Sequence, residues 1–274
     1  MTRPAISAIV VSYNTGGRLR ECLYALCANP GISEILIVDN GNPETDQAWI
    51  ARFARDKDTV HVLTGHGNVG FGAGVNLGVQ AALGPHLLII NPDAVLRYGS
   101  LEALQETASH AGNPWIVGGK IFDLFGREER GPRRRELTLF RAATSALGIN
   151  TWTLEAKPAP SNPIEMPVIS GAFFLTDLDS MAVLNGFDEA YFLHVEDVDL
   201  CRRCRVLGGE VWYDPRAGAL HYGSTSDAPS GFVERHKADG LAHYFRKFAE
   251  GPFHRLMIEL ALPLMHLGRY LRPR

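Results

Sequence analysis

Over the first 120 residues, short apolar runs alternate with stretches whose apolar positions recur every three or four residues. Ile6 to Val11 is a continuous, β-branched-rich run of the kind buried on both faces of a parallel sheet. Leu19, Cys22, Leu23 and Leu26 then mark one face of a helix, and Ile35 to Val38 a second strand that ends in the turn cluster Asp39-Asn40-Gly41-Asn42. Trp49, Ile50 and Phe53 predict the next helix, and Val60 to Leu63 a third strand. The glycine-rich segment Gly65 to Gly74 opens a helix running to about Leu83. Leu87 to Ile90 follows as a strand, Leu101 to Ala108 as a helix and Trp115 to Val117 as a strand. This rhythm predicts an α/β fold with a doubly wound, mainly parallel sheet flanked by helices.

From Phe122 to Pro167 the pattern dissolves into arginine, proline and polar residues, with one helix around Leu137 to Leu147. An insertion of that length points to a functional loop or lid. Order resumes with a strand over Val168 to Leu175, an acidic helix from about Glu196 to Leu207 and a strand at Val211 to Tyr213. The tail from Phe232 onward reads as helical.

Composition narrows the classes. The chain has 274 residues, 46% of them hydrophobic and 21% charged, enough for one large domain or two small ones. A formal net charge of −3 does not suggest nucleic acid as a partner. Cys201 and Cys204 form a Cys-x-x-Cys inside a helical pattern, without a second ligand pair, so the expectation is reduced thiols rather than zinc or a disulfide. No charged region leads into a cleavable apolar stretch at the N-terminus, and no apolar run reaches the roughly 20 residues a membrane span needs. The expected location is the cytoplasm, with the inner face of the membrane open as a docking place.

The densest chemistry is Glu196-Asp197-Val198-Asp199, three carboxylates in four positions with Arg203 close behind. Such a cluster is unfavourable unless a metal, a cation or a cationic transition state offsets it. Asp199 and Arg203 are spaced i, i+4, which suits an ion pair on one helix face. Upstream, Asn91-Pro92-Asp93 puts a further acid at the exit of a buried strand. Ser12-Tyr13-Asn14, Asp39-Asn40 and the Gly65–Gly74 loop fall at other strand exits, the edge where open α/β sheets bind ligands. That convergence suits a nucleotide, although Asp39 taken singly reads equally as a turn cap. The loop glycines, Gly70 among them, are placed to let backbone approach a bound group, with Asn68 and Asn76 as side-chain contacts. Neither a dinucleotide fingerprint after the first strand nor a Walker loop is present.

Together these residues resemble the inverting glycosyltransferases of family 2, which have the GT-A fold, and within them the rhamnosyltransferase-like branch that builds bacterial polysaccharides and cell walls. The resemblance rests on Val10-Val11-Ser12-Tyr13-Asn14, Ile37-Val38-Asp39-Asn40, Asn68-Val69-Gly70-Phe71-Gly72-Ala73-Gly74-Val75-Asn76 and Ile90-Asn91-Pro92-Asp93. Further along come Gly171-Ala172-Phe173-Phe174, Gly186-Phe187-Asp188-Glu189, Glu196-Asp197-Val198-Asp199-Leu200-Cys201-x-Arg203 and His221-Tyr222-Gly223-x-Thr225. The set appears in family order over roughly residues 5 to 225.

The resemblance implies a catalytic domain over 1–230, with 1–120 as the nucleotide-sugar half and 121–230, including the basic insertion 122–167, as the acceptor half. Residues 231–274 are then a helical tail. It implies that Tyr13 and Asp39 hold the nucleotide base, that Ser12, Asn14, Asn68, Gly70, Asn76 and Asn91 line the donor site, and that Asp93 with His221 holds Mg2+ or Mn2+ on the diphosphate. Asn91 stands where many relatives carry the first Asp of an Asp-x-Asp motif. Asp197 matches the base, with Glu196 as its rival, for single displacement with inversion onto a saccharide or lipid-linked acceptor from a dTDP- or UDP-linked donor.

Two rivals stand beside this reading: a sugar-1-phosphate nucleotidyltransferase, and a sugar-nucleotide-binding protein that has lost turnover. Arg127, Arg130, Arg133, Arg134, Arg135 and Arg141 crowd the insertion, as a solvated basic loop or as contacts to an anionic acceptor or headgroups. The tail mixes Leu256, Met257, Ile258, Leu260, Leu262, Leu264, Met265 and Leu267 with Arg255, Arg269, Arg272 and Arg274. A membrane surface, the protein's own domain and a homodimer partner are all open for it.

Overall fold

The structure, a computed structural model, describes residues 5–129, 131–146, 160–223 and 230–270, the last seven as backbone only. Arg130, Thr225 and the tail side chains from Leu264 onward therefore lie outside the described residues. The first half runs β1 (Ile6–Ser12), α1 (Arg18–Cys27), β2 (Ile32–Asp39), α2 (Glu44–Arg55), β3 (Val60–Leu63), α3 (Phe71–Ala81), β4 (His86–Ile90), β5 (Ala94–Leu96), α4 (Ser100–Ala108) and β6 (Trp115–Phe122). The second half runs β7 (Arg133–Arg134), α5 (Leu139–Ala146), β8 (Ile164–Glu165), β9 (Val168–Ile169), β10 (Phe173–Asp177), α6 (Leu178–Leu184), α7 (Glu196–Val206), β11 (Glu210–His221), α8 (Ser230–Lys247) and α9 (Gly251–Tyr270).

The main sheet has the order β3-β2-β1-β4-β10-β6-β11-β5, with β8 on β11; β7 and β9 make a separate pair. β1, β2, β3 and β4 are mutually parallel, and β6 with β11. β10 runs antiparallel between β4 and β6, so β6 and β11 point the same way as β1. Hence β1, β2, β3, β4, β6 and β11 all end on one edge, and the antiparallel β10 begins there. The order reverses between β1 and β4, which is where such sheets bind ligands.

Burial explains the continuous apolar runs. Ile9, Val11, Leu36 and Val38 pack into the core on one face of the sheet, while Ala8, Val10, Ile35 and Ile37 pack into the core on the other. α3 lies close on the first face because it has no side chain at two contact points. A Cβ at Gly78 would sit 2.5 Å from Ile9 Cγ2, and one at Gly74 2.8 Å from Val11 Cγ1. The glycine-rich segment opens this helix, which begins at Phe71, and Gly74 and Gly78 serve its close packing on the sheet.

Other boundaries differ for identifiable reasons. The expected strand Val168–Leu175 is broken at Ser170–Ala172, because Gly171 N–H bonds the Asp197 carboxylate and Ala172 N–H bonds Ser170 Oγ instead of a ladder. β11 is far longer than Val211–Tyr213, its continuation hidden by Asp214, Arg216 and a register shift. Short β5, β7 and β8, and α6, carried no pattern long enough to predict.

The tail packs on the same core as α7. Tyr244 and Phe245 of α8 and Ile258 and Leu262 of α9 join the same core as Val195, Val198 and Leu200. Asp199, fully buried, is met by Arg203 Nε at 2.6 Å, Lys247 Nζ at 2.7 Å and Tyr191 OH at 3.2 Å. The i, i+4 ion pair is thus present, and Lys247 of α8 completes it. Breaking a buried pair leaves its partners uncompensated, so Asp199→Ala is expected to lower stability by about 3–5 kcal/mol. A fall in the urea midpoint at unchanged m measures it.

Candidate active site

Ser12 and Asp39 are neighbours in the β1–β2 register, side by side at the sheet edge. Ser12 Oγ bonds Asn42 Oδ1 at 3.1 Å, and Asp39 Oδ1 accepts from Gly41 N–H, Asn42 N–H and Asn42 Nδ2 at 3.0, 2.8 and 2.8 Å. Those bonds all fall on one oxygen, so Asp39 shapes its turn while Oδ2 takes no part in it. Asn40 donates to Gly70 O at 2.9 Å, and Asn68 Oδ1 accepts from Gly70 N–H at 3.1 Å. Gly70 itself has φ +88°, and a Cβ there would lie 2.4 Å from Phe192 O. Tyr13 and Asn14 (φ 49°) follow Ser12 in the same turn. Asn76 departs from expectation: its amide is committed to Phe187 N–H and O and to Glu189, so it ties α3 to the 186–189 loop rather than lining the donor turns.

Asp93 follows β4, and the pairing of Ala94 with His221 in the β5–β11 ladder sets it beside the end of β11. Asp93 Oδ1 lies 3.2 Å from His221 Nε2, and Asn91 Nδ2 3.3 Å from the same nitrogen. Glu129, from the insertion, meets His221 Nδ1 at 3.2 Å. Burial pulls the imidazole down, but Asp93 and Glu129 outweigh it and hold it above its ordinary pKa. A carboxylate on one ring nitrogen, orienting the other towards a ligand position, is a recurrent support for a metal-binding histidine. Among the described residues no three His, Cys, Asp or Glu side chains form a complete cage. Asp93 and His221 offer one oxygen and one nitrogen, a donor set that suits a divalent cation only with further ligands from outside these two side chains.

Asp197 opens α7. Its Oδ2 accepts from Gly171 N–H at 3.0 Å and from the Arg134 guanidinium, and its Oδ1 from Val198 N–H at 2.8 Å. Ahead of it, His194 and Val195 both take positive φ, 69° and 76°, and for a β-branched residue that is strained. Glu196 is buried, with Oε2 making no hydrogen bond. Burial first, and the adjacent Asp197 charge second, push its pKa up to about 8.

One turn is hydrogen-bonded to the segments of both acidic centres. Asn91 N–H bonds Ala172 O at 2.8 Å, and Gly171 N–H bonds Asp197. Sequence reasoning missed Glu129 and the specific role of Arg134; only the arginine crowding signalled the second. Arg133 is held by Glu128 and lies 5.4 Å over the Tyr213 ring, and Arg141 bonds Glu136 O, so the insertion is no uniformly solvated loop. Cys201 and Cys204 are buried free thiols pushed by burial up to about 12, as expected of inert cysteines.

Comparison with known proteins gives a consistent picture. The glycosyl transferase family 2 model matches residues 7–180, more than half of the chain. An N-acetylglucosaminyl-diphospho-decaprenol L-rhamnosyltransferase of Mycobacterium tuberculosis is 29% identical over 255 residues, 85% of this chain and 82% of that protein. Rhamnosyltransferase WbbL of Escherichia coli K12 is 24% identical, over 78% of this chain and 82% of its own. The crystal structure of GalNAc-T7 with UDP, GalNAc and Mn2+ superposes with a TM-score of 0.63 at 14% identity, covering 81% of this chain and 44% of that one.

Glu196 supplies a pH signature. A carboxyl with an unfolded pKa of 4.5 and a folded one of about 8 holds its proton longer in the folded state. Its contribution is complete below the unfolded value and is lost as pH rises to the folded one. Glu196→Gln is expected to flatten the decline of unfolding free energy between those limits. Parallel slopes for the two proteins in urea titrations would show Glu196 ionised as in water.

Proposed function

This chain belongs to glycosyl transferase family 2 and has the GT-A fold, and on that premise we propose that it moves a sugar, rhamnose foremost, from a nucleotide-diphosphate donor to a hydroxyl of a lipid-linked saccharide in polysaccharide or cell-wall synthesis. The observation that carries this is the Ser170–Ala172 turn, hydrogen-bonded to the segments of both Asp93–His221 and Asp197. Ser12, Tyr13, Asn14, Asp39, Asn68 and Gly70 hold the nucleotide along the neighbouring strand exits. Asp93 and His221 hold the divalent cation; a nitrogen in that pair suits Mn2+ better than Mg2+. When bound, the ion stabilises negative charge on the departing diphosphate.

Asp197 takes the proton of the acceptor hydroxyl while that oxygen bonds the anomeric carbon from the face opposite the diphosphate. The anomeric C–O bond breaks with its electron pair, and the product is inverted. Glu196 is the weaker candidate, because a carboxyl that keeps its proton at neutral pH cannot accept another. Asp197→Asn is expected to lower transfer by about 10²–10⁴-fold while leaving the donor's thermal shift in place. Asp93→Asn is expected to abolish the Mn2+-dependent part of that shift in a screen of dTDP- and UDP-sugars. Full transfer by Asp197→Asn would remove the base assignment.

A lipid-linked acceptor would bring the protein to a membrane surface, and an exposed apolar stripe of α9 supports that reading. Phe253, Leu256, Met257 and Leu260 are spaced i, i+3, i+4, i+7 and are 45–74% exposed, while Ile258 and Leu262 face the core. Among the described residues no helix is long and apolar enough to cross a membrane, so the stripe lies on the bilayer surface. Leu256→Glu with Leu260→Glu is expected to reduce co-sedimentation with anionic phospholipid vesicles. If instead the stripe joins two copies of the chain, the same variant shifts a dimer to monomer and leaves vesicle binding unchanged.

A further inference from the structure

Asp197 Oδ2 already accepts two hydrogen bonds, which fill its lone pairs and close that oxygen to an incoming hydroxyl. Val198 N–H occupies Oδ1, and Gly171 N–H with Arg134 occupies Oδ2. Two of these donors are main-chain groups fixed in α7 and in the turn before β10. Only Arg134 can swing. Its side chain is 29% exposed, its Nε makes no hydrogen bond, and its other contact is a long 3.5 Å bond to Ile169 O. Its backbone is anchored: Arg134 pairs with Val168 in the β7–β9 ladder, and Arg133 beside it is clamped by Glu128.

We propose that Arg134 guards the base, covering Asp197 until the diphosphate of a lipid-linked acceptor draws the guanidinium away. This rests on the acceptor reading above. A planar guanidinium with unused donors matches phosphate oxygens in bidentate fashion, so a diphosphate competes well with a carboxylate already shared with Gly171. The guard has a chemical purpose. Without acceptor, water is the available nucleophile: its proton would pass to Asp197, its oxygen bond the anomeric carbon, and the diphosphate leave with the electron pair. The donor would be lost as free sugar and nucleoside diphosphate. Covering Oδ2 suppresses that step and makes exposure of the base depend on the correct acceptor.

The test uses full-length protein with Mn2+ and whichever of dTDP-rhamnose, UDP-N-acetylglucosamine and UDP-galactose the unmodified protein turns over fastest. Acceptors are a short-prenyl N-acetylglucosaminyl diphosphate and octyl N-acetylglucosaminide, which has no phosphate. Arg134→Gln is expected to hydrolyse donor without acceptor at least about fivefold faster and to raise KM for the diphosphate acceptor about tenfold to a hundredfold. KM for the octyl glycoside stays near its original value, and Arg134→Lys recovers part of both effects. Hydrolysis and transfer to both acceptors falling by one common factor would make Arg134 a fixed support of Asp197 and overturn the guard, as would unchanged hydrolysis. Failure of dTDP-rhamnose alone sinks the donor assignment and leaves the guard to be judged on the other sugar.

Discussion

Asn91 donates its main-chain N–H to Ala172, and Gly171 donates its own to Asp197. These two bonds, one residue apart, join the strand that delivers Asp93 to the helix that delivers Asp197. The first continues the β4–β10 ladder by one pair, and the second exists because Gly171, between β9 and β10, turns its N–H away from the ladder to a side chain. A buried donor must find a partner, and here the partner is the carboxylate. Breaking a strand is thus what sets Asp197 relative to the strand exits.

Holding so much charge near the core needs compensation at each site. Asp199 is fully buried and tolerable because Arg203, Lys247 and Tyr191 surround it. Lys247 also reaches Asp188 at 2.7 Å, and His243 reaches Asp188 at 3.1 Å, so α8 is fastened to the catalytic half by charge as well as by apolar packing. Gly240 of the same helix packs against the strained His194-Val195 pair, where a Cβ would lie 2.8 Å from His194 O. A positive φ at a β-branched residue costs of order 1–3 kcal/mol, and it persists because Val195 is buried in the core on one side. The strain aims the start of α7, and therefore Glu196 and Asp197, at the turn.

Much of this was legible in the residues. The continuous apolar runs of β1, β2 and β4 mark strands buried on both faces, and the polar residues that end them mark the ligand edge. Asp199 and Arg203 announce their ion pair by spacing alone. What stayed hidden shares a cause: it depends on partners far along the chain. Asn76 reads as a ligand contact beside its glycines, yet Phe187, 111 residues away, takes its amide. Glu129 and Arg134 sit in a segment without periodicity, where no pattern can say that one residue meets His221 and the other Asp197. β11 escaped because Asp214, Arg216 and Gly218 break its apolar signature while the parallel ladder with β6 still holds it.

Glu196 and Asp197 are adjacent in sequence and opposite in condition, and that contrast orders the chemistry. Two carboxylates side by side cannot both ionise cheaply. Glu196 is enclosed, with an oxygen that finds no hydrogen-bond donor, so it is the one that keeps its proton. Asp197 receives two main-chain N–H groups and a guanidinium, all of which favour an anion. The two neighbours therefore sit in unlike surroundings, one carboxyl enclosed and the other fully hydrogen-bonded, the kind of contrast by which paired carboxylates take separate roles. Removing the guanidinium leaves the two N–H donors in place, so the Asp197 side chain keeps its position against the turn.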